Sequence, residues 1–162
     1  MREYARTMAG YNRIANERLL EKCGSLGDGD YRRVHRVSFG SIHGLLNHVM
    51  LGDRIWMARF EGGGRVTPAL DTVLFEDFGG LQAARTAEDE RIEAFFAGVD
   101  EGFFEGSFSY TNNKGLEYVE AASVAVCHFF NHQTHHRGQI HALLTQSGVA
   151  GPSMDLHRIV NP

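Results

Sequence analysis

The segment 120–146 constrains the fold more than any other stretch, because its apolar residues fall at helical spacing. At about 100° per residue and with Val124 at zero, Ala125, Val126, Phe129, Ile140, Leu143 and Leu144 occupy an arc of about 100–200°. That arc is the face other elements must cover. The same segment is crowded with histidines, and helical phase divides them. His136 falls at about 120°, inside the arc, and His132 at about 80°, on its edge. His128, His135 and His141 fall at about 40°, about 20° and about 260°, outside it. His132 and His136 are therefore an i, i+4 pair on a mostly apolar face, one above the other. Two imidazoles there need hydrogen-bond partners, and one cation satisfies both. His128 lies about 12 Å from His136 along the axis, so one ion bound through bonds of about 2.1 Å does not take all three. An HxxxH pair also occurs as a plain polar pair, so a metal site needs a third arm.

A second helical pattern supplies a candidate. Ser38 or Ser41 can cap a helix running to about residue 60. On it Ile42, Leu45, Leu46, Val49 and Trp56 share one face, and His48 lies about 60° from Leu45, at the border of that face. His43 is about 140° from His48 and cannot serve the same ion; it reads as solvated or locally bonded. By periodicity alone, His48 is one plausible third ligand.

The rest of the chain fits a bundle around these two helices. Residues 2–23 have helical spacing through Met8, Tyr11, Ile14, Ala15, Leu19 and Leu20, with Gly24 at the expected C-cap. "GSLGDGD" breaks the pattern. "EGGG" ends the second helix, and 65–78 read as a loop with Pro68 and a weakly apolar patch. A third helix is expected over 80–98, where good helix formers are dense. Residues 103–119 alternate partly and contain an Asn-Asn-Lys-Gly turn, which predicts a short β-hairpin. The tail "SMDLHRIVNP" reads as coil packed across the bundle. Four helices, with a hairpin in the connection before the last, predict an all-α four-helix bundle as a single domain over 1–162.

Composition removes several function classes. The chain has 162 residues and a net charge of −4, so it carries no basic footprint for nucleic acid. No apolar run approaches the roughly 18–20 residues of a membrane span. Cys23 and Cys127 are too few for a disulfide framework, and the first ten residues lack the apolar core of a signal peptide. The expectation is a cytoplasmic protein with neither a nucleic-acid nor a membrane partner. Cys127, at about 300° on the last helix, reads as a small packing residue.

The pieces "YNRIANERLLE", "SIHGLLNHVMLGDRIWMARFEG" and "HFFNHQTHHRGQIHALLTQSG" resemble the DinB family, the damage-inducible proteins of bacteria. So does the spacing from "DFGGLQAARTAEDERI" through "SYTNNKG". The resemblance implies a DinB-like up-down-down-up four-helix bundle with one divalent transition metal held by a histidine triad. Its ligands fall on His48, His132 and His136. It also implies a homodimer, and relatives that are transferases or isomerases using low-molecular-weight thiols.

Three neutral imidazoles leave coordination positions open to water or a small-molecule substrate, as catalytic sites do. The ligand set suits zinc or nickel, and also iron or cobalt. Asn47, Gln133 and Gln139 are candidates to bond the ligand rings, or else solvated side chains. Arg59 and Arg137 are candidates to attract an anionic substrate, or else surface pairs. Trp56 reads as core or pocket wall. Three functions follow: a metal-dependent enzyme, with thiol-dependent S-transfer or isomerisation as one form; a non-catalytic metal-binding stress protein; or a bundle with incidental histidines.

Overall fold

A computed structural model describes residues 1–63 and 68–161. In chain order the elements are α1 (Arg2–Gly24), α2 (Asp28–Tyr31), α3 (Ile42–Phe60), α4 (Phe78–Gly98), α5 (Glu101–Glu105), β1 (Ser107–Thr111), β2 (Glu117–Ala121), α6 (Ala122–Gln146) and α7 (Leu156–Val160). The four long helices α1, α3, α4 and α6 form the bundle. α1 packs on α4 and α6, and α3 packs on the same two, so α1 and α3 face each other across a diagonal. β1 and β2 pair antiparallel, Ser107 opposite Ala121 and Thr111 opposite Glu117, immediately before α6. This is the helical bundle with a hairpin that the sequence predicts.

Local chemistry sets the boundaries. Ser41 rather than Ser38 caps α3, its hydroxyl accepting from the Gly44 N–H at 3.0 Å. Asp77 caps α4, so that helix begins two residues earlier than the helix formers alone suggest. The hairpin is shifted from the expected 103–119 to 107–121. Asp100 caps the short helix α5, which takes in Phe103 and Phe104, and Phe104 buries itself in the core. The turn is where it was expected. The Asn112 side chain accepts from the Lys114 and Leu116 N–H groups, and Gly115 adopts φ +76°.

Three expectations need correction. Gly24 is not the C-cap of α1: Ser25 is, in a right-handed conformation, with its own hydroxyl on the Lys22 carbonyl. "GSLGDGD" leads into α2, which delivers Tyr31 to the core. The tail does pack across the bundle, since Met154 and Ser153 carbonyls accept from Tyr11 and Arg18, but it ends in α7 and buries Ile159 there. Of the 65–78 loop, residues 65–67 lie outside the described residues.

The core has two apolar halves. One is aromatic, with Phe60, Phe96, Phe129 and Phe130; the other is aliphatic, with Leu19, Leu45, Leu81 and Leu143. Between them runs a belt of buried polar side chains contributed by all four long helices. Asp53 of α3 accepts from Arg85 at 2.5 Å and from Gln133 at 2.8 Å. Arg85 also pairs with Asp89 at 3.0 Å, and Asp89 accepts from Asn16 at 3.0 Å. Arg137 donates to Asn12 and Asn16. Two buried cations thus face two buried anions, which is the condition for keeping charge in an interior. Burial pushes the Asp53 carboxyl up to about 6 against the pull of Arg85.

Candidate metal centre

The triad forms at the level of the polar belt, where α3 and α6 cross. His48 and His136 are buried and His132 is half-buried. Their nearest ring nitrogens all lie within 4.8 Å of one another, and Nε2 of His48 is 3.0 Å from Nε2 of His132. Nitrogens sharing one ion through bonds of about 2.1 Å lie up to about 4.2 Å apart, so small ring rotations bring this set onto one cation. His128, exposed, and His135, also exposed, remain outside the cluster, as their helical phase requires. His141 stands away from it, against Gly151.

Hydrogen bonds at Nδ1 orient two of the three rings. The Leu70 carbonyl can only accept, so His48 Nδ1, at 2.9 Å, carries the proton and Nε2 keeps its lone pair. His136 Nδ1 lies 2.8 Å from Gln139 Oε1, which frees its Nε2 in the same way. Burial pushes His132 down to about 3 and His136 to about 4, with the neighbouring imidazoles adding to the effect, and burial also lowers His48. All three are therefore neutral donors at physiological pH. Gly52 makes room for the third ring: a Cβ there would meet His132 Cε1 at 2.9 Å.

Asn47 acts one step further out than expected. It bonds no histidine ring; its side-chain oxygen accepts from the Leu74 and Phe75 N–H groups, and its amide donates to the Phe75 and His43 carbonyls. It thereby pins the loop whose Leu70 carbonyl orients His48. Gln139 fills the role assigned to it. Gln133 does not; it faces the belt and bonds Asp53. Arg137 is not a surface pair, since it is buried and bonded to Asn12, Asn16 and Thr134. Cys127 is exposed, not a packing residue. His43 is buried and locally bonded, to the Tyr31 hydroxyl at 3.2 Å.

The triad opens on a cavity of about 390 Å³. Phe39, Ile55, Trp56 and Leu70 give it apolar walls; Arg59, Tyr110, Asn112, Asn113 and His128 give it polar ones. Trp56 is both: it packs against the aromatic half of the core and forms part of the cavity wall. Phe39 stacks on His48 with centroids 3.6 Å apart, from a backbone at φ +63°. A non-glycine residue in that region stores about 1–2 kcal/mol of strain, here spent on holding an aromatic ring over a triad imidazole. The sequence reading missed Phe39, Leu70 and Tyr110. Gly52 carried a signal: a glycine inside a helix, one turn after His48.

A family model described as "DinB family" matches residues 1–161. The chain belongs to the DinB family. It is also similar to Protein DinB of Bacillus subtilis (strain 168), at 27% identity over 164 aligned positions, covering 96% of this chain and 92% of that one. Membership accounts for the bundle, and the three histidines of this DinB-family chain form a cluster that could hold a metal ion. Among the described residues no fourth histidine, cysteine or carboxylate joins them. No helix is long and apolar enough to cross a membrane, again among the described residues.

Proposed function

We propose that the protein is a metal-dependent enzyme acting on a small molecule, with His48, His132 and His136 holding one divalent cation, zinc or nickel first. The observation that carries this reading is three neutral imidazoles converging on the wall of a cavity, without a fourth protein donor among the described residues. Structural sites are closed by four protein ligands; sites that do chemistry keep a position open. When bound, the cation supplies Lewis acidity to a molecule entering from the cavity.

The chain's own residues do the rest. Leu70 and Gln139 hold the tautomers of His48 and His136, and Phe39 stacks over His48. No Asp or Glu lines the cavity among the described residues. His128 is the non-ligand imidazole on that lining, its ring 6.0 Å from that of His132 and 5.2 Å from that of Trp56. It is placed to carry a proton between cavity and solvent. Family membership supports a cytoplasmic homodimer as part of the same reading, and sedimentation of the purified chain tests the dimer.

Metal analysis of untagged protein tests the site. One equivalent of metal is expected, lost in His48→Ala and His136→Ala; metal no higher than in those variants ends the reading. Low-molecular-weight thiols, offered with electrophilic substrates to the loaded protein, then separate a thiol-dependent transferase or isomerase from a metal-binding stress protein without turnover.

A further inference from the structure

Apart from the triad, the cavity is walled largely by rings. They form a continuous series that starts at a triad imidazole. Centroid to centroid, His128 lies 6.0 Å from His132, Trp56 lies 5.2 Å from His128, and Tyr110 lies 5.6 Å from Trp56. The last two steps are tilted by 59° and 67°, so the series mixes ring faces with ring edges. At the other two ligands, Phe39 stacks on His48 and stands edge-on to His136 at 5.8 Å. Each triad imidazole thus has an aromatic neighbour on the cavity lining. The guanidinium of Arg59 packs on the outer end of the series, 3.9 Å from the Tyr110 centroid and 4.6 Å from that of Trp56, and steadies both rings. The walls ask little of a ligand in hydrogen bonds. The Asn112 side-chain oxygen already accepts from the Lys114 and Leu116 N–H groups, and no carboxylate lines the cavity among the described residues. Aromatic pairs favour tilted or offset contacts, which are worth more than the area they bury. A flat ring gains that excess here, and a saturated group of the same size does not.

Resting on the proposed function above, we propose that the substrate is a flat aromatic compound of one or two rings, with its metal-seeking group on the ring or one atom away from it, and that Trp56 is the residue that selects for the ring. The metal-seeking group meets the triad cation. The ring lies against the aromatic wall, where His128 alone stands between His132 and Trp56 in the series. The cavity, at about 390 Å³, is at the small end of the roughly 300–1,000 Å³ usual for ligand sites, which sets the limit of one or two rings. The hairpin has a part in this selection, because Tyr110 of β1 backs Trp56 and borders the same cavity.

The test uses zinc-loaded protein and three ligands that share one chelating head: benzohydroxamate, cyclohexanecarbohydroxamate and acetohydroxamate. Each affinity is referred to that of the same hydroxamate for free zinc, so that only the contribution of the protein is compared. Calorimetric titration reads the affinities, and Trp56, the single tryptophan of the chain, reports ring contact through its fluorescence. Benzohydroxamate is expected to bind about tenfold more tightly than cyclohexanecarbohydroxamate, the worth of one or two ring contacts. It should also change Trp56 emission more than acetohydroxamate does. Trp56→Leu should bring the flat and saturated rings within about twofold of each other, while zinc itself still binds. Equal affinities for the two rings in the native protein, or a preference that survives in W56L, overturn the proposal. The native comparison decides the matter even if W56L does not fold. Failure to bind zinc at all brings down the metal site and this inference together. Stoichiometric zinc without the preference for the flat ring brings down this inference alone.

Discussion

Gly52 offers a perturbation that separates metal binding from folding. A glycine inside a helix costs about 1 kcal/mol relative to alanine. Gly52 sits in the middle of α3, and a Cβ there would lie 2.9 Å from His132 Cε1 and 3.4 Å from its Nδ1. Without metal, the His132 ring can swing towards the cavity, so Gly52→Ala should be neutral or stabilising by up to about 1 kcal/mol, or roughly 2–4 °C in Tm. With metal, the ring must return to the triad and meets the new methyl group. A weakening of zinc affinity by about ten- to a hundredfold is expected, the scale of disturbed ligand orientation. At zinc one hundred times the native Kd, binding stabilises the native protein by about 2.7 kcal/mol; a tenfold weaker variant keeps about half of that. Thermal unfolding with chelator and with zinc, together with calorimetric titration, reads both quantities. Gly138→Ala on α6 is the control, because a Cβ there meets nothing within 4 Å; it should gain helix stability and leave zinc affinity alone. Native zinc affinity in G52A would refute the reasoning, and so would equal destabilisation with and without metal.

Other perturbations test the neighbouring links. Asn47→Ala removes the anchors of the Leu70 loop, and zinc affinity should fall about tenfold although Asn47 touches no triad ring; isothermal titration checks it. The metal-free protein should lose stability as pH falls from about 6.5 towards 4, because the unfolded chain protonates its imidazoles near 6.5 while folded His136 and His132 hold out to about 4 and about 3. Urea midpoints at pH 7 and 4.5 measure this, and a slope unchanged in His132→Gln/His136→Gln would assign it to other groups. Asp53→Ala removes one of the two carboxylates that hold the buried Arg85 and should cost about 3 kcal/mol. Glu93→Ala, which breaks a part-exposed pair with Arg13, should cost under about 1 kcal/mol by the same urea assay.

What the sequence disclosed follows from which constraints are local. The phase of α6 is set by helix geometry, so the arc separated His132 and His136 from His128, His135 and His141 correctly. The same arc contains position 133, at about 180°, and marked Gln133 as buried had it been applied beyond the histidines. Arg137 and Phe130 fall outside the arc at about 220° and about 240°, yet both are buried. Arg137 bonds Asn12 and Asn16 of α1, and Phe130 packs on Tyr4 of α1, a contact no single-helix pattern reports. Phe39, Leu70 and Tyr110 reach the site from a strained turn, a loop and a hairpin. Their placement depends on tertiary contacts such as the grip of Asn47 on residues 74 and 75, and local propensity carries no trace of it.

The belt and the triad interleave along the chain, and this gives the belt a second role. On α6, Gln133 and Arg137 each directly follow a triad histidine; on α3, Asp53 directly follows Gly52. One side of each helix faces the cavity while the adjacent residue, about 100° around, faces the buried charges. Turning either helix by one residue would uncover Asp53 or Gln133 and scatter the imidazoles in the same motion. Buried polar groups that fix register in this way are retained for specificity rather than for stability. Folded Asp53→Ala, which releases Gln133 from α3, should therefore also bind zinc several-fold more weakly than native protein at equal fraction folded, although Asp53 touches no histidine in the triad. If folded D53A holds zinc as tightly as the native chain, the belt serves stability alone and the triad is positioned by its own hydrogen bonds to Leu70 and Gln139.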